Sequence, residues 1–220
     1  MKGILLKEQL FKKTIEGLKT ETRRKVHFNE VDEKYLSTPP FTEIEIVPRD
    51  CPTGFQLFAN NPFDPASKDP ITRWVYQWDV KPRYKVGEVV YIKEPVAAFP
   101  QKPLIYKYDT PKQHRKNFKW SNKLFMKAVD ARYHIKIVGV TAERICDISV
   151  DSVEAEGLDN SFPCADMDYY IEKILKELPM DEEYLAPQQQ FFYLFKTINP
   201  HTDLKSWVWV YQYELIKFEG

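Results

Sequence analysis

The sequence predicts an α+β domain: a small β-barrel with peripheral helices and long loop insertions. Three observations carry this expectation. Segments that alternate apolar and polar residues outnumber helical ones, and the last of them, Ser206-Trp207-Val208-Trp209-Val210-Tyr211-Gln212-Tyr213-Glu214-Leu215, is the strongest strand signal in the chain. A few stretches with apolar residues three and four apart sit at the connections between strands, as helices that cover a sheet do. The 16 prolines against seven glycines indicate long, stiffened loops rather than flexible linkers. At 220 residues, one domain over residues 1–220 with insertions is the expected organisation.

In chain order, residues 7–17 read as a helix. Leu10, Phe11, Thr14, Ile15 and Leu18 fall on one face, Lys12, Lys13 and Glu16 on the other, and Gly17 ends the helix. Residues 26–72 are broken by Pro39, Pro40, Pro48, Pro52, Pro62, Pro65 and Pro70. They read as an elaboration with one short strand over 42–47, turns at 60–65, and packing by Phe55, Leu57, Phe58 and Phe63. Strands are expected at 73–79, 89–94 and 104–108, and a basic loop at 109–123. A long strand starts at Arg132, reaches Val140 and can continue to Arg144, with a bend or bulge at Gly139. Ser149 is an N-cap for a helix over 150–156, with Gly157 as its C′ residue. A longer helix runs from Asp166 or Asp168 to Leu178, and Pro187 opens a last one with Phe191, Phe192, Leu194, Phe195 and Ile198 buried.

Composition limits the function classes. No stretch reaches the roughly 18 apolar residues of a membrane helix, and the first seven residues are too briefly apolar for a signal peptide. Cys51, Cys146 and Cys164 are far apart and odd in number, so reduced thiols in a cytoplasmic protein are expected. The scattered His27, His114, His134 and His201 suggest no metal site, and no cofactor is expected. The net charge of zero hides a segregation. Residues 101–140 hold ten Lys or Arg against two Asp, and residues 141–190 hold three against 13 acids. Such blocks fit a nucleic-acid groove or self-complementary solvated faces, but not strong nonspecific duplex binding.

The chemistry concentrates in Lys19-Thr20-Glu21-Thr22-Arg23-Arg24. An alcohol becomes a useful nucleophile when a base takes its proton. A lysine serves as that base when burial or neighbouring cations lower its pKa. Lys19 and Thr22 are the candidate base and nucleophile; Arg23 and Arg24 supply cations and can hold an anion such as phosphate. The same residues also read simply as a basic helix C-terminus. Glu156 stands at a helix end, where the dipole disfavours an acid, so a contact with Lys19 or Arg24 is expected. Glu94, at the end of a strand, is the rival carboxylate, and Trp120, Tyr106 and Tyr91 can stack a base or fill the core.

Several stretches together resemble the ASCH-domain proteins of the PUA-like superfamily, particularly the long bacterial and phage-associated members. The matching pieces are Gly17 to Arg24, Val86 to Glu94, Ser121 to Met126, Arg132 with its strand, Ile148 to Gly157, and Asn199-Pro200 through Trp207 to Tyr211. Residues 28–72 and 159–186 lie outside the resemblance and read as insertions. The resemblance implies a five- or six-stranded barrel with a cleft. It also implies an amidohydrolase that removes the acyl group from the exocyclic amine of acetylated cytidine. Its Lys-Thr-x-Thr-x-Arg motif maps onto Lys19, Thr22 and Arg24, and its functional Glu onto Glu156. Arg23, Arg24, Glu94, Trp120 and Lys123 are the candidate substrate-binding residues. A modified nucleoside or RNA is the expected partner. The alternatives are a noncatalytic RNA- or nucleotide-binding module and an RNA nuclease, the latter favoured by the basic loop. Because the motif is placed at a cleft, substitutions at Lys19 and Thr22 are expected to leave folding nearly unchanged.

Overall fold

A computed structural model describes residues 1–26, 44–48, 55–60, 74–100, 102–158 and 185–216, with only the backbone described for 44–48, 55–60 and 74–80. The central element is a five-stranded mixed sheet. Its strands are β1 (Lys2–Leu5), β2 (Glu21–Lys25), β6 (Val89–Lys93), β9 (His134–Arg144) and β10 (Trp207–Ile216), in the order β1-β6-β9-β10-β2. β1 runs parallel to β6, and the other neighbours are antiparallel. A separate antiparallel sheet is formed by β3 (Ile44–Pro48), β4 (Phe55–Asn60) and β5 (Trp74–Val80). The pair β7 (Val96–Ala97) and β8 (Ile105–Tyr106) completes the strands.

The mixed α+β class is as expected, but the closed barrel is not present among the described residues. The last strand, β10, inserts between β9 and β2, while β1 sits at the far edge, so β1 and β2 are both edges and share no ladder. Between those edges, Arg24 Nη2 of β2 donates to the Leu5 carbonyl of β1 at 2.7 Å. The register of β10 on β9 shifts between Gln212 and Tyr213, which leaves Val138 as the extra residue beside Gly139.

Helix α1 (Glu8–Ile15) buries Leu10, Phe11 and Thr14. It is shorter than the expected 7–17, because Gly17 takes φ +79° and the N–H groups of Leu18 and Lys19 both turn back to the Lys13 carbonyl. Leu18 therefore leaves the helix face and is exposed. Helix α2 (Val150–Ala155) starts at Ser149, whose hydroxyl accepts from the Ser152 N–H at 3.2 Å. Helix α3 (Ala186–Ile198) buries Phe191, Phe192, Leu194 and Phe195. Ile198, expected to be buried there, is largely exposed at the helix end. One core joins Leu10 and Phe11 of α1, Val153 of α2 and the α3 phenylalanines to Ile4, Ile92, Ile135, Ile137 and Tyr211 of the sheet.

Five strands differ from expectation. β1, β2 and β7 were not expected as strands, β4 falls in a stretch read as loop, and the strand expected over 104–108 is reduced to Ile105–Tyr106. The helix expected from Asp166 or Asp168, Cys51, Cys164, His27 and Phe63 lie outside the described residues. Cys146 is a buried free thiol. Among the described residues no helix is long and apolar enough to cross a membrane, and no group of His, Cys, Asp and Glu is arranged to hold a metal ion.

Candidate active site

The basic motif is a strand. Glu21 to Lys25 contains no apolar residue, yet it pairs along β10, with Thr22 opposite Tyr211 and Arg24 opposite Trp209. Among the described residues the other side of β2 is a free edge, where unpaired peptide groups need partners. Lys19 and Glu156 supply them. Lys19 Nζ donates to the Glu21 carbonyl at 2.5 Å, and the Arg23 N–H donates to Glu156 Oε1 at 2.6 Å. The peptide before Thr22 is thus held through its carbonyl and the peptide after it through its N–H.

Lys19 also closes helix α2. Its Nζ donates to the Glu156 carbonyl at 2.9 Å, and the Thr20 N–H donates to the Ala155 carbonyl at 2.8 Å. A cation at a helix C-terminus is favoured by the dipole and satisfies a carbonyl left over there. The third hydrogen of Nζ goes to Glu156 Oε2. The approach is close because Gly157, at φ +80°, has no Cβ. One placed there would lie 3.0 Å from Lys19 Cβ and 3.2 Å from Lys13 Cβ.

Arg23 is the second cation on Glu156. Its Nη1 lies 3.3 Å from Glu156 Oε1 and 3.4 Å from Glu21 Oε2, and its Nε donates to Glu143 Oε1 at 2.6 Å. Its guanidinium carbon sits 5.6 Å from the centre of the Phe191 ring. Nη2 is buried and has no hydrogen-bond partner among the described residues. Burial pushes the Glu156 carboxyl up, but Lys19 and Arg23 more than reverse this and hold it below the usual carboxylate range. Burial pulls Lys19 down from the usual lysine range, and Glu156 only partly opposes it. The three acceptors around Nζ favour the ammonium form as the resting state.

A cleft of about 330 Å³ opens beside this network. Thr22, Arg23, Arg24, Lys123 and Glu156 line it together with Lys7, Phe191 and Ile198, so the largely exposed Ile198 has a place at its wall. Lys123 Nζ donates to the Leu6 carbonyl at 2.8 Å, and its pKa is lowered by burial, with Arg24 and other cations adding to the effect. Lys19 lies behind this wall, with its side chain wholly buried. Among the described hydrogen bonds none joins Nζ to the Thr22 hydroxyl. The expectation that Lys19 substitutions leave folding untouched is corrected here: Lys19 is among the largest fully buried side chains.

The structure therefore brings Thr22, Arg23, Arg24, Lys123 and Glu156 to one cleft, with Lys19 bonded to Glu156 beneath it. It does not bring Glu94 or Trp120 there. Glu94 is fully buried and bound by Arg132, whose Nη2 lies 3.0 Å from each carboxylate oxygen. Burial outweighs Arg132 and pushes the Glu94 pKa up to about 7. Arg132 also pairs with Asp109 and stacks 3.8 Å from the centre of the Tyr106 ring, so Tyr106 is engaged in this cluster. Trp120 is half-buried, donates through Nε1 to the Arg115 carbonyl at 2.8 Å, and packs on Phe118. Tyr91 is buried and donates to the Met126 carbonyl at 3.0 Å. In the basic loop, Arg115 makes a two-pronged ion pair with Glu8 at 2.7 Å, so its guanidinium is already engaged by a carboxylate.

Sequence reasoning missed Glu21 and Glu143 as partners of Arg23. Glu21 shares a face with Arg23 once residues 21–25 are known to be a strand, whereas Glu143 reaches the site from β9 across the sheet and no spacing signals it. Gly157 was legible as a helix end, but its tight approach to Lys19 was not. No protein-family model matches this chain, and neither a curated protein nor a solved structure does.

Proposed function

We propose that the chain is an ASCH-type protein of the PUA-like class whose cleft binds cytidine acylated on its exocyclic amine and hydrolyses that amide. The observation that carries the reading is the clamp on Thr22. A hydroxyl-bearing residue lines a small cleft, and the peptide groups on both sides of it are held by the lysine and glutamate that the resemblance names. A volume of about 330 Å³ lies at the low end of small-ligand sites, which suits one nucleoside. The bridge from Arg24 to Leu5, across the gap between the sheet edges, supports the PUA-like reading of the fold.

In the proposed reaction the Thr22 hydroxyl attacks the acyl carbonyl and gives its proton to Lys19. The bond to the exocyclic nitrogen breaks, the nitrogen takes from Lys19 the proton that Thr22 gave up, and cytidine leaves. Water then hydrolyses the ester on Thr22 and releases the acid. Lys19 must first pass its own proton to Glu156 and turn one of its three bonds toward Thr22. Burial, which lowers the Lys19 pKa, favours that transfer, and the lowered pKa of Glu156 opposes it. Arg24 and Lys123 have donors left for the developing oxyanion. Glu156 holds the proton that Lys19 gives up, and Arg23 acts as a positioning residue.

One observation favours a second reading, a noncatalytic nucleotide-binding module: all three hydrogens of Nζ are already donated to acceptors. The test is incubation with acetylated cytidine, free and within RNA, followed for cytidine, acetate and strand scission. The account predicts equal release of cytidine and acetate with the strand intact. Binding without either product supports the module instead, and scission without deacylation overturns both readings.

A further inference from the structure

A second cleft, of about 410 Å³, adjoins the first and shares Leu5, Arg24 and Asn199 with it. Five cations line it: Arg24, Lys25, Lys81, Arg83 and Lys93. Among the described residues no carboxylate lines it. The nearby ion pair of Lys2 with Glu88 involves none of these five cations. Lys25, Lys81, Arg83 and Lys93 belong to none of the ion pairs among the described residues. Lys93 Nζ donates to the Leu124 carbonyl at 2.6 Å and keeps two hydrogens, while Arg24 spends one donor on Leu5 and keeps the rest.

The floor beneath these cations is braced. Tyr84 and Tyr211 meet edge to face with centroids 5.1 Å apart. The Arg83 N–H donates to the Tyr211 hydroxyl at 2.9 Å, and the Arg83 guanidinium lies 5.5 Å from the Tyr84 ring centre. Gathering five like charges in one hollow costs free energy unless an anion offsets it. The first cleft, by contrast, carries Glu156 among its cations and suits a neutral or weakly polar group.

We infer that the second cleft is a phosphate-binding subsite, so that the ligand reaching the first cleft is a nucleotide unit carrying its phosphate rather than a free nucleoside. The identity of the attached base rests on the function proposed above; phosphate binding in the second cleft does not. Arg24 stands at the junction, where the sugar would pass from one cleft to the other. The phosphate belongs either to a mononucleotide or to a strand of RNA.

Equilibrium binding to the full chain tests this, with cytidine, its 5′- and 3′-monophosphates, a short oligoribonucleotide and inorganic pyrophosphate as probes. One monophosphate is expected to bind about tenfold or more tighter than cytidine at low salt, and the advantage shrinks as salt rises. Lys81→Ala and Arg83→Ala, both at exposed positions, should each reduce that advantage severalfold, leave cytidine affinity unchanged and keep the fold. Arg83→Lys should restore part of it. A steeper salt slope for the oligoribonucleotide than for the monophosphate identifies a strand, and equal slopes identify a mononucleotide. Equal affinity for cytidine and both monophosphates, or an advantage that survives the Lys81→Ala/Arg83→Ala double variant, overturns the inference. If cytidine fails to bind while pyrophosphate and the oligoribonucleotide bind with these dependences, the nucleoside reading of the first cleft falls and the phosphate subsite stands.

Discussion

Lys19 and Glu156 have a structural duty that any catalytic one must coexist with. Together they complete the free edge of β2, close the end of α2 and neutralise one another out of water. Breaking a buried pair by removing one member leaves the other charge unpaired, which typically costs about 3–5 kcal/mol. Glu156 keeps Arg23 as a partner, so Lys19→Met is expected to lower stability toward the low end of that range, read as a drop in the denaturant midpoint at unchanged slope. The double variant Lys19→Met/Glu156→Leu should recover part of the loss, because the under-compensated carboxylate is gone and Arg23 keeps Glu21 and Glu143, although the edge peptide groups of β2 still lack partners. A Lys19→Met protein as stable as wild type would show that the pair contributes nothing to the fold. For the same reason Lys19→Arg is a poor probe of catalysis, and Thr22, at the cleft wall, is the cleaner one. At this scale the sequence was informative about identity and silent about burial. An acid at a helix C-terminus demanded a cation, and Lys19 is there; nothing in a run of charged residues announced that it would be wholly enclosed.

At the scale of elements, legibility followed hydrophobic pattern. β10 and β9 alternate clearly, α2 and α3 carry their caps and stripes, and all four are close to where the pattern puts them. β1 and β2 carried no such pattern. Lys2-Gly3-Ile4-Leu5 is too short, and Glu21-Thr22-Arg23-Arg24-Lys25 has no apolar residue. Both are strands because a neighbour offers a ladder, and the buried side of β2 is satisfied by ion pairs rather than by apolar packing. The joint between α2 and β2 is correspondingly sensitive. Gly157→Ala places a Cβ at 3.0 Å from Lys19 Cβ on a backbone with φ +80°. A loss of about 1–3 kcal/mol is expected for a non-glycine residue held in that region. Thermal unfolding measures it, and an unchanged midpoint would mean that α2 and Lys19 can move apart freely.

At the scale of the molecule, charge did not distribute as the sequence runs suggested. The basic block at 101–140 spends Arg115 on Glu8 and Arg132 on Glu94 and Asp109, inside the fold. The cations of the second cleft come from three other segments, around Arg24, Arg83 and Lys93, and only the first of these lies in a linear run of charge. Stability against pH should also carry the mark of buried charge. Glu94 has its pKa raised to about 7, so the folded state holds the proton more tightly than the unfolded one. Its contribution is fully present below the unfolded carboxyl value near 4.5 and is lost as pH rises through about 7. Glu156 has the opposite sign: its lowered pKa contributes stability above that unfolded value and loses it as pH falls through the folded one. Between about pH 5 and 8, Glu94→Gln should therefore flatten the decline in stability, by on the order of 2 kcal/mol across the window. Unfolding curves at several pH values check this, and parallel profiles for variant and wild type would contradict it.

The central proposal is that Thr22, whose flanking peptide groups are held by Lys19 and Glu156, supplies the hydroxyl that reacts. Thr22→Val keeps the shape and the β-branched backbone preference and removes only the hydroxyl. The decisive measurement is cytidine release from acetylated cytidine by wild type and Thr22→Val, each shown to be folded by the same unfolding curve. The account predicts turnover by wild type and a loss of at least about a hundredfold in the variant, with substrate binding retained. A folded Thr22→Val protein that releases cytidine at the wild-type rate would contradict it.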